Sequence, residues 1–244
     1  NSIALFDRIP EQYLTAARNL RMVFSDRSVG ANISDGLDCL AAGSWAVAPS
    51  SCRRDYLNPN TTDWKTYTQT DLLAGNVPAL IQFPANAVLY NRSNWDFEFR
   101  MDDWSGLTED FVTSLAPQYL NSKDVLTYQF SYLNVVDTSN IADPNTGFFA
   151  NTGSYDIHDL EAFIAQHPDK HIFLWTTSLA RGIGNSVATQ FNDQMRRYAI
   201  ENEKVLFDVA DILSHDRNGQ VCYDNRNDGV NYPAICQDYT TELD

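Results

Sequence analysis

Positive charge is scarce in this chain. Lysine stands only at Lys65, Lys123, Lys170 and Lys204, and Lys and Arg together number 17 against 32 Asp and Glu. The formal charge is −15 and the isoelectric point lies near 4.5. A field of that sign repels phosphate backbones and anionic headgroups, so nucleic acid and charged membrane surfaces are not expected partners. Long apolar runs are missing too. No stretch approaches the ~20 consecutive apolar residues that cross a bilayer, so no membrane span is expected. Cysteine is sparse and never in C-x-x-C spacing, and the four histidines are scattered, which argues against a structural zinc site. No metal and no cofactor is expected.

What is present suits a folded domain. The 244 residues, 43% hydrophobic and 12% aromatic, are enough for one large domain over 1–244 with a well-buried core. The four cysteines fall into two local groups, Cys39 with Cys52 and Cys222 with Cys236. Two short-range disulfides are the natural reading, one of three pairings that four cysteines permit, with buried free thiols as the alternative. Disulfides would place the chain outside a reducing cytosol, in a secreted or extracellular setting. The start at Asn1 is compatible with a processed mature form. Sequons at Asn32, Asn60 and Asn91 would carry glycans in an organism that modifies them.

Two hydrophobic periods alternate along the chain. Helical periodicity occurs over 10–20, 30–42, 107–120, 154–166 and 185–202. Short apolar or β-rich runs occur over 20–24, 79–83, 95–101, 124–133, 171–177 and 205–209. Strands that are apolar throughout mark a parallel sheet buried on both faces. The predicted fold is therefore α/β, a flavodoxin-like three-layer sandwich with a parallel sheet of about five strands. The polar, aromatic excursion 43–70 reads as a functional or disulfide-tied loop. Beyond Leu213 periodicity is lost, and the tail needs a Cys222–Cys236 bridge to hold a shape.

In open parallel sheets, sites form beyond the carboxyl ends of the strands. The loop after the first strand reads Ser25-Asp26-Arg27-Ser28-Val29-Gly30, and Ser28 falls between a strand end and a helix N-terminus. Free backbone N–H groups and the helix dipole there suit an oxyanion, although serine is also a common helix N-cap. The string Asp26-Arg27-Ser28-Val29-Gly30-Ala31-Asn32-Ile33 resembles the first block of SGNH/GDSL-type hydrolases. The nearest variants read H-x-S-V-G or H-H-S-x-G; here Asp26 and Arg27 stand where histidines or Gly-Asp are usual. The stretch 192–212 is similar to the last helix and strand of that family.

The resemblance implies an SGNH hydrolase-like fold and a serine esterase. Ser28 would be the nucleophile, Gly106 and Asn134 would complete the oxyanion hole, and Asp244 would orient a histidine lying beyond the last residue, in a chain truncated there. Among internal histidines, His215 is the alternative base, with a surface histidine beside Asp216 as the plainer reading. The segment 224–229 has some likeness to a calcium loop, but Arg226 occupies a ligand position. Aromatic residues around Trp45, Tyr56, Trp64, Tyr67, Trp95 and Trp104 could stack on sugar rings or simply fill a core. The expectation is an extracellular esterase acting on a small-molecule or polysaccharide ester substrate. Its rival is a non-catalytic extracellular glycan-binding or self-assembling surface protein on the same fold.

Overall fold

The computed structural model describes residues 8–56, 64–77, 90–100, 106–132, 155–181, 185–226 and 228–240. The apolar runs of the sequence become the strands of one sheet. These are β1 (Met22–Asp26), β4 (Trp95–Phe99), β5 (Val125–Tyr128), β6 (His171–Trp175) and β7 (Leu206–Phe207), with β2 (Arg54–Tyr56) and β3 (Trp64–Thr66) pairing separately as a hairpin. The main sheet has the order β4-β1-β5-β6-β7 and every pairing in it is parallel. This is the flavodoxin-like arrangement the sequence predicts. The apolar run 79–83 lies outside the described residues.

Alternate residues of each strand serve different layers, as the two-residue period requires. Val23, Leu126, Ile172 and Leu174 belong to one apolar cluster, with Phe111, Leu115, Leu160, Phe191 and Met195. Those partners come from α4, a composite helix over 107–119, from α5 (Ile157–Gln166) and from α6 (Asn185–Glu201). Met22, Phe24, Val125 and Trp175 belong to the second cluster. It is covered by Ile33 of α2 (Ser28–Ala41) and by Val209 and Leu213 of α7 (Val209–Leu213). Phe24 stacks on Trp175 with centroids 4.4 Å apart. Helices on both faces make three layers.

Two further helices complete the set: α1 (Glu11–Arg18), before β1, and α3 (Gln69–Leu73). Composite α4 runs from Leu107–Asp110 through a π-helical turn, Phe111–Leu115, into Ala116–Tyr119. The sequence places Pro117 near the end of this helix. A proline has no N–H to give and crowds the carbonyl four residues back, and the register loosens in the turn just before it. At the amino edge, Arg21 holds Asp124 with a forked contact of 2.6 and 2.9 Å, aligning the entries of β1 and β5. That hydrogen bonding keeps the Asp124 carboxyl well below the usual carboxylate range.

Both local disulfides form, Cys39–Cys52 and Cys222–Cys236, and the described residues contain no free cysteine. The first ties the excursion after α2 to that helix. The second closes the tail, where β8 (Tyr223–Asp224) and β9 (Tyr232–Pro233) pair antiparallel. The tail is fastened to the body as well. Cys222 N–H donates to Ser214 O (2.8 Å), Cys236 N–H to Leu213 O (2.8 Å) and Arg181 Nη1 to Ile235 O (2.9 Å). Among the described residues, no helix is long and apolar enough to cross a membrane.

Candidate functional site

The chain changes direction across the sheet at β1. It first goes to β4 on one side, then crosses to β5 on the other, so the loops leaving β1 and β5 part at their carboxyl ends. A crevice opens there in folds of this order. The structure places a cleft of about 450 Å³ on that edge, lined by Val29, Asn32, Tyr132, Ser178, Leu213 and Tyr239 among others. Its walls come from the first turns of α2, the loop after β6, helix α7 and the disulfide-closed tail.

The loop after β1 is tightly built. Asp26 is 1% exposed. Its Oδ1 accepts the Arg27 N–H at 2.6 Å at the entry to α2, close to the Gly30 N–H. Oδ2 has no partner among the described residues. Burial pushes the Asp26 carboxyl up from its ordinary 3.8 to about 6, offset in part by those N–H groups and by the Arg27 charge. Gly30 is required by close approach: a Cβ there would stand 2.5 Å from Asp26 Cβ and 2.8 Å from Phe97 Cε2.

Beyond β5 and β6 lies a buried polar set. Gln129 donates its backbone N–H to Ser25 O (3.1 Å) and its Nε2 to Thr176 O (3.0 Å), while its Oε1 has no partner among the described residues. Thr176 is spent on structure, donating to Asp208 Oδ1 (3.1 Å) and accepting from the Ala210 N–H (3.0 Å). Thr177 is held through its backbone by the Asn192 side chain at 2.7 and 3.3 Å. Thr177 Oγ1 and Ser178 Oγ have no partner among the described residues, although both residues are fully buried. Ser178 lines the cleft.

Of the residues the sequence singles out, Ser28 heads α2 and Gly106 precedes α4 as its N-cap, so both backbones sit at this carboxyl edge. The Ser28 side chain, Asn134 and Asp244 lie outside the described residues. His215 lines a different cavity, on the far side of α7. Among the described residues, no histidine lines the cleft. His171 opens β6, exposed at the opposite edge, and His158 faces solvent beside Asp156. In the calcium-like stretch, Asp224 Oδ2 is taken up by Arg226 at 2.8 Å, with Arg181 at 3.8 Å. The described residues contain no group of three or more ligands that would hold a metal ion.

The sequence reading missed Gln129, Thr177 and Ser178. Their signal was available: polar residues at the far end of an apolar or β-rich run, on the carboxyl edge of the sheet. The stretch 171–177 reads as strand throughout, which hides that its last residues are the rim of a site.

No protein-family model matches the chain, and no solved structure matches it. Among curated proteins, the chain is 28% identical to Autophagy-related protein 3 of Pichia angusta over 122 residues. The match covers 49% of this chain and 32% of that protein, so it spans about a third of the relative's length. Autophagy takes place inside the cell. This likeness overturns the expectation of a secreted or extracellular esterase, and with it the rival reading of an extracellular glycan-binding or self-assembling surface protein. The disulfides form as expected, but the compartment inferred from them is corrected.

Proposed function

We propose that the cleft at the carboxyl edge binds a small uncharged polar ligand that supplies hydrogen-bond donors or acceptors to Ser178. The observation that carries this is a fully buried serine on the wall of a 450 Å³ cleft whose hydroxyl has no partner among the described residues. A buried hydroxyl left unpaired costs about 1–3 kcal/mol, which a ligand group would return. The frame, on this proposal, is of the SGNH type and spans 1–244, as the Asp26 to Ile33 block resembles. Ser28 and Gly106 would present helix N-termini to the ligand, and Asn134 and Asp244 would join them.

A panel of neutral polyols and primary amides, screened by ligand-observed NMR against wild type and Ser178→Ala, tests the reading. The expected result is saturable binding by at least one class, weakened about tenfold in the variant. If every compound that binds does so equally well to Ser178→Ala, the cleft is not the site. The match to Autophagy-related protein 3 favours a second reading, a part in autophagy. A fluorescent fusion that stays diffuse during starvation, together with unchanged autophagic flux on deletion, would remove it.

A further inference from the structure

A second cavity, of about 290 Å³, lies between α6, α7 and the tail hairpin, on the other side of α7 from the cleft. Its floor follows from helical spacing: Thr189, Asp193 and Arg196 recur at four and three residues and so share one face of α6. Opposite them, Asp211 and His215 are one turn apart at the end of α7, and Tyr223 of the tail closes the outer side. None of these groups belongs to the cleft.

The hydrogen bonds already made determine what the cavity still offers. His215 Nδ1 donates to the Asp211 carbonyl at 2.7 Å, with the Asp211 carboxylate at 3.4 Å. A carbonyl can only accept, so a proton sits on Nδ1, and in the neutral tautomer that this contact selects Nε2 is the acceptor. Thr189 Oγ1 is buried and has no partner among the described residues. The guanidinium of Arg196 is already spent: Nε and Nη2 on Asp208 at 2.7 and 2.9 Å, Nη1 on Asp193 at 3.0 Å. Two carboxylates of the lining, Asp193 and Asp211, thus stand against one cation, Arg196. The cavity is rich in acceptors and negative in balance.

We infer that this cavity binds a small organic cation through its N–H donors, an alkylammonium head, with His215 Nε2 and Thr189 Oγ1 as the acceptors that position it. At roughly 30 Å³ per water-sized group, the space admits about ten heavy atoms. The chain's overall charge of −15 attracts cations everywhere, so affinity alone does not identify the site. Charge-neutral variants do.

The test is titration calorimetry with 1,4-diaminobutane, and with 1,4-butanediol as a neutral analogue of the same length, on wild type, Thr189→Val, His215→Ala and Asp193→Asn. Thr189→Val leaves the charge untouched and Asp193 lies at the exposed rim, so the series does not depend on one variant folding. The expected result is diamine binding to wild type that weakens about tenfold or more in each variant, with the diol at least tenfold weaker. The His215 ring resonances should move with the same binding curve, and Ser178→Ala should bind the diamine as wild type does. Equal diamine affinity in wild type and Thr189→Val, or a diol that binds as tightly as the diamine, would overturn the inference. Neither outcome bears on the ligand proposed for the cleft.

Discussion

A carboxyl group 1% exposed at the end of a strand is a poor place for a charge. Asp26 accepts the Arg27 N–H with one oxygen, the other has no partner among the described residues, and its carboxyl is pushed up to about 6 from 3.8. The folded chain therefore holds this proton to higher pH than the unfolded chain does. Its contribution to stability is complete below pH ~3.8 and is lost as pH rises through about 6, a cost of about 3 kcal/mol above both values. Asp26→Asn keeps an oxygen for the Arg27 N–H and removes the ionisation. Urea unfolding at pH 3.5 and 7.5 should show the variant gaining about 2–3 kcal/mol on wild type between the two conditions. A difference that does not change with pH would mean Asp26 is ionised in the fold without penalty.

At the scale of the element, Asp208 joins three pieces that meet between the two cavities. It caps α7 by accepting the Asp211 N–H at 3.1 Å, takes the Thr176 hydroxyl at the end of β6, and grips Arg196 of α6 through two bonds. Asp208→Ala should cost about 2 kcal/mol by loss of the cap and release of a half-buried Arg196. Hydrogen exchange should show the loss concentrated in α7, with α5 unaffected. The short α7 also explains where His215 goes. Five residues of helix carry the chain away from the cleft wall formed by Val209 and Leu213 and bring His215 to the cavity formed by Ala210, Asp211 and Ser214.

For the whole molecule, the two disulfides fasten the parts that lack periodicity. They join residues 13 and 14 apart in sequence, and closing loops of that length is worth about 3 kcal/mol each. Full reduction should lower the melting temperature by roughly 12–24 °C at 2–4 °C per kcal/mol, read by calorimetry with and without a dithiol reductant. The tail supplies Tyr239 and Thr240 to the cleft, so ligand binding there should weaken with reduction of Cys222–Cys236. Inside a reducing compartment that bond would be exposed to cleavage.

The residues by themselves determined a great deal of this molecule. Apolar strands such as Met22 to Phe24 and His171 to Trp175 could be buried only on both faces, which dictated a parallel sheet with helices on either side. Cysteines 13 and 14 residues apart made two local bridges the natural reading of three possible pairings, because such loops close at little cost. The charge balance and the serine at the head of α2 were equally local. Tertiary structure decided the rest. Ser178 became the wall of a cleft because β6 ends beside the first turns of α2, more than a hundred residues earlier. Asp26 acquired its raised pKa because the sheet and Phe97 exclude water from it. His215, close in sequence to the cleft-lining Leu213, was carried to a separate cavity by the direction of one short helix. Periodicity reports which face of an element is apolar; which polar side chains meet across elements depends on distances that only the packed sheet sets.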